Sequence, residues 1–238
     1  MGIVDILRSK VYQSFFGPQN PVSTQWAYDA ILKNLPDEAS LLDIGCGDGI
    51  YFTNPVVIET IIKKRFKIFA IDIDAGAITI CQKRIAAAGL QEYIHATAMS
   101  VTDVKEKYDF VLWMESFPVI SPKLFNYLFS HSLTLAKKKV LLYHNLVPDE
   151  EATPFWRKLK PMLLYFTLVD FGRLTTLSEM RQCMQSLTDK PFTIRPLLQC
   201  KLSEMHILAG IGRQVLDLFH VGGGDRQIIQ YLTEVDFE

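Results

Sequence analysis

The sequence predicts an α/β protein on a mostly parallel sheet, and three observations carry that prediction. Short apolar runs recur between amphipathic stretches, from 41–44 to 140–146, in the strand–helix alternation of stacked βαβ units. Runs such as LLDI and FKIFAIDI lack a polar alternation, as strands buried on both faces do. The first run, Leu41, Leu42 and Ile44 interrupted only by Asp43, leads into Gly45, Gly47 and Gly49 at alternate positions. Glycine tolerates positive φ and lets a ligand approach the backbone, so strand, glycine turn and helix together mark where a nucleotide-like ligand binds in an open α/β sheet.

Each element has its own signal. Apolar residues at Ile3, Ile6, Leu7, Val11, Phe15 and Phe16 give an amphipathic helix over 3–16, closed by Gly17-Pro18-Gln19-Asn20-Pro21. A second helix over 23–35 stops before Pro36. After the glycines, 54–65 is a helix with Asn54 as N-cap, Pro55 at the first position and basic residues in the last turn. The second strand, 66–73, ends on Asp72 and Ile73. Asp74 caps a helix over 74–89, and Gly89 stops it. Strands follow at 92–98 and 108–114, then a helix at 122–136. Lys137-Lys138-Lys139 reads as a solvated helix end before the fifth strand, 140–146. The alternation lapses in the aromatic-rich 149–173. Thr176 and Glu179 form a capping box for a helix over 177–187. A strand at 192–199, a helix at 203–219 and a last strand at 227–235 complete the chain. No linker or repeat divides it, so a single domain is expected, with a helical segment at 1–36, a core at 37–146 and an accessory part at 147–238.

Composition narrows the function. The 238 residues are 49% hydrophobic, enough for a sizeable core, and the formal net charge is −1. That balance lacks the basic footprint of a nucleic-acid binder. Cys46, Cys81, Cys183 and Cys200 form no Cys-x-x-Cys pair and no metal spacing with histidine, so reduced thiols and no metal are expected. Asp5 and Arg8 interrupt any signal-peptide core, and the longest apolar run, 161–169, is too short to cross a bilayer. A soluble cytoplasmic protein is the expectation.

The glycine stretch itself excludes two ligands. A dinucleotide fingerprint needs glycine where Ile50 stands, which disfavours a nicotinamide dehydrogenase, and no Gly-Lys-Ser/Thr follows for a P-loop. With Asp43 ahead of Gly45, Gly47 and Gly49, LLDIGCGDGI instead resembles the first motif of the class I S-adenosylmethionine-dependent methyltransferases, and the resemblance covers about 40–146. It implies a seven-stranded, mostly parallel sheet in the order 3-2-1-4-5-7-6 with the last strand antiparallel. A plain doubly wound sheet is the alternative. It implies S-adenosylmethionine as cofactor, S-adenosylhomocysteine as product, and an N-terminal segment over the ligand mouth. Tyr12, Phe15 and Phe16 are then lid candidates, or simple core cover.

Site residues follow from the resemblance. Asp72, a carboxylate at the end of the second strand, is placed to accept the ribose hydroxyls, with Ile73 beside it. Asp43 either holds the glycine loop or reaches the methionyl amino group through water, and the backbone of Gly45, Cys46 and Gly47 faces the methionyl part. The family commonly has an aspartate after the third strand for the adenine amino group. Here 96–100 holds no acid, so Met99, Ser100 and nearby backbone, or Asp103 reaching back, take that place. Trp113 and Met114 border the sulfonium. Glu115 is a general base or a grip on a cationic acceptor, and His144 is the other candidate base. Trp156, Tyr165, Phe166 and Phe171 line an acceptor pocket or pack the core. The motif for amino methylation of nucleobases, Asn/Asp-Pro-Pro-Tyr/Phe, is absent. The reading is methyl transfer to oxygen or nitrogen of a small molecule. A protein or RNA acceptor and a silent cofactor-binding module are the alternatives, and the oligomeric state is left open.

Overall fold

Leu41, Leu42 and Ile44 are buried in the first strand, β1 (Ser40–Ile44), an inner strand of the sheet. The structure is a computed structural model and describes residues 21–114, 122–145, 176–201 and 227–237. Ahead of β1 runs α1 (Pro21–Asn34). After it come a 3-10 turn (Ile50–Thr53), α2 (Pro55–Lys64) and β2 (Lys67–Asp72). Next are α3 (Ala75–Ala87), β3 (Ile94–Ala98), a short 3-10 turn (Val101–Asp103) and β4 (Tyr108–Met114). Then follow α4 (Pro122–Leu133), β5 (Ala136–Asn145), α5 (Leu177–Leu187), β6 (Phe192–Lys201) and β7 (Gln227–Asp236).

The strands form one seven-stranded sheet in the order β3-β2-β1-β4-β5-β7-β6. Neighbours from β3 to β5 pair in parallel, and β7 runs antiparallel between β5 and β6. The expected class I methyltransferase topology is therefore observed. Between β1 and β4 the strand order reverses direction across the sheet, and in open α/β sheets ligands bind outside the carboxyl ends of the strands at such a point.

Each face of the sheet has its own core. One face is covered by α1, α2 and α3 through Tyr28, Ile31, Leu32, Val57, Ile61, Ile78 and Ile85. The other is covered by α4 and α5 through Phe125, Phe129, Met180 and Met184. Side chains alternate along a strand, so Leu41 and Asp43 face the first layer while Leu42 and Ile44 face the second.

The predicted caps are present. The Asn54 carboxamide oxygen accepts from Val56 N at 2.9 Å, Asp74 accepts from Gly76 N and Ala77 N, and Thr176 and Glu179 close a capping box. Gly89 takes φ +69° just past α3. In β6 the register shifts next to Pro196, which lacks an N–H to give its neighbour and occurs at the sheet edge.

The lysine run corrects the sequence reading. The fifth strand begins at Ala136 and the preceding helix ends at Leu133, so Lys137, Lys138 and Lys139 are strand residues and not a helix end. The cause lies in the neighbouring strands, for β5 pairs from Ala136 on with β4 and from Lys139 on with β7. The carboxyl half of β7 runs beside the start of β5, and Lys139 meets Glu234 at 3.3 Å and Asp236 at 2.9 Å. Arg195 of β6 reaches the same Glu234 at 2.6 Å. The segments expected at 3–16, 149–173 and 203–219 lie outside the described residues, as do Tyr12, Phe15, Phe16, Glu115, Trp156, Tyr165, Phe166 and Phe171.

Candidate functional site

The turn after β1 is bent by Gly45 (φ +76°), Gly47 (φ +55°) and Gly49 (φ +64°), a run of left-handed positions that residues with a Cβ adopt at a cost. The end of β2 anchors it. Gly45 N donates to Ile71 O at 2.8 Å and Cys46 N to the same oxygen at 3.1 Å. Gly47 N donates to Asp72 Oδ2 at 2.9 Å, while Asp74 N donates to Asp72 Oδ1 at 2.9 Å. Asp72 thus ties the turn to the entrance of α3. Burial pushes its carboxyl above the usual range, and the backbone donors of Asp74 and Gly47 oppose that push. Each carboxylate oxygen accepts more than one hydrogen bond, so these contacts leave capacity for ligand hydroxyls.

The glycines differ in what surrounds them. A Cβ on Gly47 would meet nothing within 4 Å, whereas one on Gly49 would lie 2.4 Å from Cys81 Sγ and 2.9 Å from Phe52. Gly47 faces open space and Gly49 faces α3. Arg84 of α3 clamps the same segment, with Nη1 donating to Asp48 Oδ1 at 2.7 Å and to Asp48 O at 2.9 Å. Cys46 is buried, and its thiol is held up by the contact with Cys81 first and by burial second.

Beneath the turn, Asp43 is fully buried. Its Oδ2 accepts from Tyr51 Oη at 2.7 Å and Tyr28 Oη at 3.2 Å, and among the described residues its Oδ1 has no partner. Burial raises this carboxyl to about 7, against the two tyrosine bonds that favour its charge. The Tyr28 and Tyr51 hydroxyls are themselves pushed well up, by burial and then by Asp43. The two rings stack with centroids 4.4 Å apart. Tyr28 and Tyr51 carried no sequence signal. Tyr51 directly follows the motif, but only the tertiary fold brings Tyr28 of α1 onto β1.

Around the rest of the edge, Ile73 is left 41% exposed beside Asp72. Met99 N donates to Asp72 O at 2.9 Å. The Ser100 hydroxyl accepts from Thr102 N and lies 2.8 Å from Thr102 Oγ1, capping the turn that contains the exposed Asp103. Met114 is buried at the end of β4 on the first face. Trp113 points to the other face, where its indole donates to Ser132 Oγ at 3.1 Å, so its side chain belongs to the core and only its backbone stands at the strand end. His144 also lies inside, with Nε2 2.8 Å from Thr233 Oγ1. Burial drops its pKa to about 3, which makes it a poor proton acceptor at neutral pH. What the described residues show at His144 is a buried hydrogen bond to Thr233 of β7. Glu115, the other expected base, lies outside the described residues.

No curated protein matches the sequence. Solved structures that share the fold at low identity include three methyltransferases or methyltransferase-family proteins. The geranyl diphosphate C-methyltransferase of Streptomyces coelicolor A3(2), solved with S-adenosyl-L-homocysteine, matches with a TM-score of 0.59 and 12% identity over 90% of this chain and 78% of its own. The magnesium protoporphyrin IX methyltransferase of Synechocystis PCC 6803 matches with a TM-score of 0.56 and 14% identity over 98% of this chain and 99% of its own. An O-methyltransferase family protein from Burkholderia thailandensis matches with a TM-score of 0.59 and 12% identity over 98% of this chain and 59% of its own. Residues 41–139 match the family model described as a methyltransferase domain. That match falls within a sheet whose strand order is that of the class I methyltransferase fold.

Proposed function

We propose that the chain transfers the methyl group of S-adenosylmethionine to an oxygen or nitrogen of a small molecule. The observation that carries this reading is the pairing of Asp72 and Gly47 at 2.9 Å, with open space over Gly47 and a half-exposed Ile73 next to the carboxylate. The residues fit the cofactor part by part. Asp72 offers acceptors to the ribose hydroxyls, Ile73 an apolar surface to the adenine, and Gly45, Cys46 and Gly47 a side-chain-free backbone to the methionyl end. Met99 and the backbone of Ser100, Trp113 and Met114 complete the rim.

A bound sulfonium supplies an already activated methyl group, so transfer to an acceptor is an in-line displacement. The chain's own residues then need only hold the acceptor in line and keep water out, and orientation alone supplies much of the rate. A hydroxyl or ammonium acceptor must also lose a proton. Glu115, next in sequence after Met114, is assigned that role because His144 is buried and bonded to Thr233. A small acceptor is supported by the balanced charge of the chain and by the small molecules for which its structural relatives are named, geranyl diphosphate and magnesium protoporphyrin IX.

Calorimetric titration with S-adenosylhomocysteine tests the cofactor half. Binding is expected, and Asp72→Ala should weaken it by roughly 10- to 150-fold, the scale of a lost charge-assisted hydrogen-bond set. No binding by the wild type, or equal binding by a folded Asp72→Ala, overturns the proposal. Transfer of a labelled methyl group across a panel of alcohols, phenols, carboxylic acids and amines tests the acceptor half. Label found only in protein or RNA replaces the small molecule, and binding without any transfer leaves a silent module.

A further inference from the structure

We infer that Asp43 is the proton-exchanging counter-charge of the cofactor site: its carboxyl is neutral in the free protein and releases its proton to solvent when the cationic amino end of the ligand comes to lie over the glycine turn. The inference rests on the cofactor reading above and extends it.

The geometry is that of a carboxyl poised between two states. Asp43 is 0% exposed, and among the described residues Oδ1 has no hydrogen-bond partner. A charged carboxylate with one oxygen unpaired is far costlier to bury than a neutral carboxyl. Oδ2 already accepts from Tyr51 and Tyr28, so the proton of the neutral form is held on Oδ1. The titratable groups facing it are Tyr28 from α1, Tyr51 from the 3-10 turn, Cys46 from the glycine turn with Cys81 of α3 behind it, and Asp72 at the end of β2. None of these is a cation. The flanking strands contribute Ala70 and Leu112 in register. Nothing resident among these groups therefore balances a negative charge, while two phenol hydroxyls stand ready to stabilise one. A ligand ammonium above the turn supplies the missing positive charge through space, in a medium where Coulomb attraction is little screened. The carboxyl then ionises, one O–H bond breaks, and the buffer takes the proton.

Calorimetric titration of S-adenosylhomocysteine into the full chain at pH 6.5, in buffers of different ionisation enthalpy, reads the released proton directly. The wild type should release roughly 0.5 to 0.8 proton per ligand, as expected of a carboxyl titrating near neutrality. Asp43→Asn keeps the shape and removes the proton, so its heat should be independent of buffer. Tyr51→Phe removes a donor that favours the ionised form, and the pH at which release dies away should move upward. A residue serving only to pack the turn would not shift that profile. Wild-type binding with buffer-independent heat overturns the inference and leaves the cofactor reading standing, and so does undiminished release in Asp43→Asn. Failure of the ligand to bind at all removes the cofactor reading itself.

Discussion

At the scale of single residues, the three motif glycines look alike in sequence and do different work in the fold. Gly49 combines a left-handed backbone with a Cβ position 2.4 Å from Cys81 Sγ and 2.9 Å from Phe52, so it exists to let α3 close on the turn. Gly47 has the same backbone sign and nothing within 4 Å. Gly49→Ala should therefore destabilise the protein by roughly 3 kcal/mol or more, the sum of backbone strain and overpacking. Gly47→Ala should lose only about 1–2 kcal/mol of stability, the strain alone, yet weaken S-adenosylhomocysteine binding more than tenfold. Urea melts and calorimetry on both variants check this, and equal stability losses would contradict the assignment. The position of the motif was legible in sequence because strand, acid and glycines are contiguous. The surroundings of Asp43 were not. Its carboxyl is defined by Tyr28, which comes from a helix ahead of the strand, and no local pattern announces a contact made across the layers.

At the scale of elements, sequence patterns worked where an element is specified by its own residues and failed where a distant strand decides. The helix starts at Asn54, Asp74 and Thr176 are local side-chain caps, and each stands where it was expected. The lysine run is the opposite case: three consecutive cations suggest solvent, but β4 pairs with the chain from Ala136 on, and Glu234 and Asp236 on β7, far along the chain, hold Lys139. Helix α1 was expected to include part of a lid. Its described part is a layer of the core, with Ala27, Tyr28, Ile31 and Leu32 buried. It is fastened to the region after the glycine turn by polar contacts. Gln25 donates to Ile50 O at 3.2 Å, Asn54 donates to Gln25 Oε1 at 2.9 Å, and Thr60 donates to Asp29 Oδ1 at 2.7 Å. Asn54 thus caps α2 with its oxygen and holds α1 with its nitrogen. Asn54→Asp preserves the cap and ends the donation to Gln25, whereas Asn54→Ala removes both. The expected stability loss is about 1–2 kcal/mol for Asn54→Ala and less than half of that for Asn54→Asp. Denaturant midpoints measure the difference, and equal losses would show that the link to α1 carries more than the cap.

At the scale of the whole molecule, the two faces of the sheet carry buried groups whose proton demands oppose each other. Asp43 on the first face is raised to about 7, above the ordinary carboxylate range, so between about pH 4 and 7 the folded chain holds a proton that the unfolded chain has lost. Its contribution is fully present below about pH 4 and disappears as pH rises through 7. His144 on the second face is lowered to about 3, so between about pH 3 and 6.5 the unfolded chain holds a proton that the folded chain refuses. Its contribution is fully present above about pH 6.5 and disappears as pH falls through 3. In the shared window, about pH 4 to 6.5, the slopes have opposite sign, each of about 1.4 kcal/mol per pH unit, and they cancel. Removing either group exposes the other. Asp43→Asn should lose roughly 2 to 3 kcal/mol of unfolding free energy relative to wild type between pH 6.5 and 4.5, and His144→Gln should gain a similar amount over the same interval. Urea unfolding at those two pH values reads the difference directly, because every other titrating group is common to the three proteins. Curves that stay parallel for wild type and Asp43→Asn would mean that Asp43 is already charged in the folded state, in which case the proton release inferred for cofactor binding has no source.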